Sequence, residues 1–143
     1  MNRQEFEELR DLPGKAIDGD IRFVAKKTAS PILIAEANIK NDRNIDAKLT
    51  ITCNPEIDVV SFNVSTSVGP ICRLDIRGHN HPPVGRNHKH ALQAERCPDR
   101  NLPDEVTDFS AISNLSVREL FERFLGMAKI KHNGVFAPPD GMR

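Results

Sequence analysis

The chain has 143 residues, 38% of them hydrophobic and 28% charged, with Lys+Arg and Asp+Glu balanced at 20 each. That length supports a single soluble domain, 1–143, with one core, and the charge balance argues against a protein built mainly to hold long duplex DNA. With no Trp or Tyr, the core must come from Ile, Leu, Val and seven Phe. Three cysteines without close spacing, Cys53, Cys72 and Cys97, suit a reducing cytoplasm better than a disulfide framework. Met1–Arg10 has no apolar run resembling a signal peptide, and no stretch reaches membrane-spanning length. A cytoplasmic protein without a membrane partner is expected.

Residues 1–15 predict an N-terminal helix. Asn2-x-x-Glu5 has the spacing of a capping box, Phe6 and Leu9 share a face, and Pro13-Gly14 stops the helix. From about residue 20 the period changes to two. Ile21–Ala25 and Ile32–Ala37 are candidate strands. Ile45, Ala47, Leu49, Ile51 and Cys53 alternate with polar residues, the pattern of a half-buried strand. Val60, Phe62 and Val64 repeat it, and Cys72, Leu74 and Ile76 oppose Arg73, Asp75 and Arg77. A returning strand is expected at His88–Ala94. Cys97–Phe109 reads as a loop with Pro98 and Pro103 as breakers.

Residues 115–132 predict a second helix. Ser116-x-x-Glu119 is a capping box, and Leu115 and Leu120 are spaced as its hydrophobic staple. Val117, Leu120, Phe121, Phe124 and Ala128 form one apolar stripe, read as core packing. Lys129, Lys131 and His132 suit the negative helix end, and Asn133-Gly134 should stop it. Residues 134–143 are expected to be a loose tail. The fold class is therefore α+β: an antiparallel β-meander or open barrel of five to seven strands. Its body is 20–96, and the C-terminal amphipathic helix packs on the sheet.

Chemistry concentrates in Arg73–Cys97. Four of the five histidines stand here as His79-x-His81 and His88-x-His90, around Pro82-Pro83-Val84-Gly85. Residues 71–100 also carry six Lys/Arg against three Asp/Glu. A His-x-His on a strand puts both residues on one face, roughly 6–7 Å apart at the backbone. Two chemistries use that arrangement. In one, His81, His88, His90 and Glu95 hold a divalent metal (zinc, manganese or nickel), with Cys97 an alternative zinc ligand. In the other, His81, His88 and His90 transfer protons with Asp75 orienting a ring, while Arg73, Arg77 and Arg86 hold phosphate. Plain surface exposure, or a hydrogen-bonded core histidine, is the non-catalytic reading of the same residues.

Strand parity sharpens the choice. Pairing Leu74 with Leu92 matches the apolar faces and sets Ile76 and Gly78 opposite His90 and His88. That register expects His88 and His90 on the inner face, and His79 and His81 on the polar face with Arg73, Asp75 and Arg77.

Two resemblances follow from these residues. His88-x-His90-x4-Glu95 resembles the first metal motif of the cupins, which implies a metal held in a β-barrel. Pro82 stands where that motif has glycine, and no second motif follows. The run Arg73-x-Asp75-x-x-Gly78-x-x-His81-x-Pro83, then His88-x-His90, resembles a family of short uncharacterised bacterial and phage proteins. That resemblance implies an accessory gene of a prophage or a toxin and defence neighbourhood. Two functions are expected from the whole. The first is a small hydrolase of nucleic acid or nucleotide, metal-dependent or His-based. The second is a non-enzymatic inhibitor, antitoxin-like or anti-defence protein that binds a host or cognate protein partner.

Overall fold

The alternation around residue 50 sets the centre of a sheet. The computed structural model describes residues 3–28, 30–78, 88–91, 106–108 and 110–142, with residues 3, 88–91, 106–108 and 110 described by backbone alone. Strand β4, Ala47–Asn54, buries Ala47, Leu49, Ile51 and Cys53 and leaves Lys48, Thr50, Thr52 and Asn54 on the other face. It pairs antiparallel with β3, Leu33–Ile39, and with β5, Val59–Thr66; β5 in turn pairs with β6, Gly69–Ile76. Directly opposed residues share a face, so the register aligns the apolar sets into rows. One row is Ala35–Ile51–Phe62–Leu74; beside it run Ala37–Leu49–Val64–Cys72 and Leu33–Cys53–Val60–Ile76. At Val64/Ser65 the register shifts, and both Ile71 and Cys72 are buried there. Such a bulge inserts one residue and re-aims its neighbours.

Short strands extend the sheet at both ends: β2, Val24–Ala25, beside β3, then β7, His88–Ala91, and β8, Val106–Asp108, beyond β6. The seven strands follow chain order from β2 to β8, an open antiparallel meander. The architecture is α+β as expected, and of the two expected forms, meander and open barrel, the sheet is the open meander.

Two helices cover the apolar face. Helix α2, Val117–Ala128, begins at the expected capping box: Ser116 accepts from the Glu119 N–H, and the Glu119 carboxylate accepts from the Ser116 N–H. Its buried stripe is the expected one, and Phe124 stacks on Phe62 with ring centroids 5.3 Å apart. Helix α1, Arg3–Arg10, buries Phe6 completely and lies against β6. Asn2, the expected cap of α1, lies outside the described residues. Among the described residues no helix is long and apolar enough to cross a membrane.

The end of α2 corrects an expectation. The helix stops at Ala128 because Lys129 adopts the left-handed conformation, φ 56°, and its N–H returns to Leu125 O. A non-glycine residue in that region costs about 1–2 kcal/mol. Lys129→Gly should therefore raise stability by about 0.5–1 kcal/mol, read as a higher urea midpoint at unchanged slope. Lys131 and His132, expected inside the helix, instead belong to β9, Lys131–Asn133. This strand pairs in parallel with β1, Ala16–Asp18.

The chain beyond α2 is docked rather than loose. The Ile21 N–H donates to Val135 O at 2.9 Å, and the Ala137 N–H to Ile21 O at 3.0 Å. Between them Phe136 is 4% exposed and stacks on Phe121, with centroids 4.2 Å apart. An aromatic ring that finds a core site holds its flanking backbone in place. Ile21 was expected in a strand with Val24 and Ala25. It is drawn out of that strand by the same contact, as an isolated parallel bridge to Phe136.

Cys53 is fully buried in the third apolar row, and burial pushes its thiol up to about 12 from 9.0. The folded protein then holds that proton more tightly than the unfolded chain. Stability is intact below pH 9 and falls as pH rises from 9 toward 12. Urea titrations across that window should show a declining midpoint, and Cys53→Ala should flatten the decline.

Candidate functional site on the polar face of the sheet

The face turned away from the helices carries two polar rows. One runs Thr52–Ser61–Asp75–His88–Asp108, the other Thr50–Asn63–Arg73–His90–Val106. These rows correct the expected hairpin register. Leu74 stands opposite Lys89, not Leu92, so β7 is displaced by three residues from the parity pairing. An odd displacement exchanges the faces of a strand. The positions of His88 and His90, expected in the apolar rows, are opposite Asp75 and Arg73.

The physical reason lies in how β6 ends. Arg77 has φ 60° and leaves the ladder, so the strand stops at Ile76. Residues 76–87 connect the opposed pair Asp75 and His88, and a connection of that length imposes no register of its own.

Among the side chains described, Arg73 Nε donates to Asp75 Oδ1 at 3.0 Å. The two ends of this pair differ in environment: the Arg73 side chain is 46% exposed and that of Asp75 only 10%. A half-exposed guanidinium beside a sunken carboxylate can meet an incoming anion without leaving the carboxylate uncompensated. In the same row as Arg73, Asn63 Oδ1 is buried and has no hydrogen-bond partner among the described residues. Such an oxygen costs about 1–3 kcal/mol and calls for a donor. Ser61 and the threonines of β4 are half-buried around it. The face therefore offers a carboxylate, a guanidinium and an acceptor without a partner among the described residues, within two adjacent rows.

Arg77, expected beside Arg73 as a phosphate ligand, is placed elsewhere. Its guanidinium donates to Asp58 O and Ser113 O and pairs with the Asp58 carboxylate at 3.2 Å. It ties the β4–β5 turn to the segment before α2, a structural post set by its exit from the ladder. The fifth histidine, His132, is also structural: Nε2 lies 2.8 Å from Gly19 O and the ring meets Phe121 edge-on.

His79, His81, Arg86, Glu95 and Cys97 lie outside the described residues. Half of the expected metal set is thus among them, and His88 and His90 are placed by register alone. Among the described residues there is no group of three or more His, Cys, Asp or Glu poised to hold a metal. Ser61, Asn63 and Asp108 are among the members of these rows that carry no motif signal in the sequence. Ser61 and Asn63 are the outward half of the Val60–Ser65 alternation and become visible only once β5 is paired to β6. Asp108 falls where a loop was expected, and β8 places it opposite His88. Comparisons with protein-family models, with curated proteins and with solved structures find no match.

Proposed function

We propose that the protein is a small cytoplasmic hydrolase of phosphodiesters in nucleic acid or nucleotides, an accessory activity of a prokaryotic or phage genome. The observation that carries this reading is the β6–β7 register, which sets His88 opposite Asp75 and His90 opposite Arg73. In it, His88 takes the proton of a water whose oxygen bonds to phosphorus as the ester bond breaks, and Asp75 fixes the tautomer and orientation of His88. Arg73 binds the phosphate and steadies charge that develops on it, and His90 protonates the leaving oxygen. Were a divalent metal to take part, His81, His88, His90 and Glu95 would hold it, and it would supply an activated water. The buried thiols Cys53 and Cys72 fit a reducing compartment.

The test is metal analysis of protein purified without a histidine tag, with turnover of single-stranded RNA, duplex DNA and cyclic nucleotides measured with and without chelator. Turnover lost on chelation supports the metal form; turnover indifferent to chelator supports the histidine form. A metal-free protein that turns over none of these substrates rejects both, and leaves an inhibitor or antitoxin-like binding protein as the reading to pursue.

A further inference from the structure

On the opposite side of the sheet, α1, β6 and the C-terminal end of α2 enclose a cavity of about 250 Å³. Phe6, Leu9, Ile71 and Met127 contribute apolar wall, and Lys15 stands in it as a cation that is 8% exposed. Among the described residues the ammonium makes one hydrogen bond, from Nζ to Arg10 O at 2.6 Å, the carbonyl at the end of α1. That contact is itself a helix-capping interaction, and it satisfies one of three N–H donors. The nearby carboxylate of Asp11 is already held by Arg10 through two hydrogen bonds at 2.9 and 2.7 Å. Among the described lining residues, Arg10, Lys15 and Lys129 are thus set against one carboxylate, that of Asp11. A buried ammonium is costly unless fully compensated, and burial here pulls the Lys15 pKa down, with Asp11 offsetting it only in part.

We infer that this cavity binds a small amphipathic carboxylate, with its aliphatic chain against Phe6, Leu9, Ile71 and Met127 and its carboxylate on Lys15. The volume is roughly that of eight liquid waters, which suits a chain of about six to eight carbons and excludes a drug-sized ligand. The apolar wall recognises the chain, and the excess positive charge selects an anion over an alcohol of the same length. The site is independent of the phosphodiester face, which uses the other side of β6.

The experiment is calorimetric titration of the whole protein with octanoate and with 1-octanol, repeated on Lys15→Met and Met127→Trp. Octanoate should bind the unaltered protein at least tenfold more tightly than octanol. Lys15→Met should erase that preference while keeping octanol binding, and Met127→Trp, which fills the cavity from the half-exposed edge of α2, should weaken both ligands at least tenfold. Equal binding of the two ligands by the unaltered protein, or no octanoate binding at millimolar concentration, overturns the inference without reliance on any variant. Unchanged octanoate affinity in Lys15→Met overturns it as well.

Discussion

Phe124→Ala is expected to lower the free energy of unfolding by about 3–5 kcal/mol, a large part of the 5–15 kcal/mol typical of a domain. The ring is fully buried, and it stacks at 22° on Phe62, itself fully buried in the central apolar row. Removing it deletes a ring stack between α2 and β5 and leaves a void flanked by Phe62, which strand pairing prevents from collapsing inward. Urea denaturation followed by circular dichroism measures the loss. Val24→Ala is the reference, because Val24 is 63% exposed and its truncation should change stability by under about 0.5 kcal/mol. A Phe124→Ala loss below 1 kcal/mol would mean that α2 does not rest on the sheet in this way.

His88→Ala carries the largest functional effect expected. If His88 transfers a proton, its loss should slow phosphodiester turnover by about 10²–10⁴-fold at unchanged stability. Asp75→Asn should cost about 10–100-fold, the usual scale for a group that orients another. Asp75 and His88 are opposed in the ladder, so the double variant should be no slower than His88→Ala alone. Additive losses would separate the two residues and favour the register in which Leu74 meets Leu92. His132→Gln is a suitable control, since that ring is engaged with Gly19 O away from the polar face.

The legible parts of this chain are those where a local pattern and a tertiary one agree. The alternations through Cys53, Val64 and Ile76 predict strands, and those strands align into three continuous apolar rows. The start of α2 was legible because Ser116 and Glu119 form a box that depends only on neighbours. Its end was not, because Lys129 takes a conformation that glycine usually marks. Nor was the β1–β9 pair, whose three-residue strands carry no periodicity to read. The candidate site was half legible. Its residue types were visible as His, Arg and Asp in one stretch. Which of them meet depends on a register that residues 76–87 are too long to dictate, and apolar matching pointed to the wrong one. Asn63 and Asp108 gain interest only from their places in the rows.

The parallel pairing of β1 with β9 has a consequence for how the molecule is made. Asp18 and Asn133, bonded side chain to side chain at 2.8 Å, are 115 positions apart. The meander β3–β6 joins neighbours in the chain and can assemble while synthesis continues, whereas β1 has only its bridge from Ala16 to Lys40 until residue 133 has left the ribosome. Contacts of such separation form late and slow the overall rate. The first strand translated is thus among the last to be fully secured, and the Gly19 amide, which donates to Asn133 O, should gain exchange protection later in refolding than the Ala16 amide, which donates to Lys40 O.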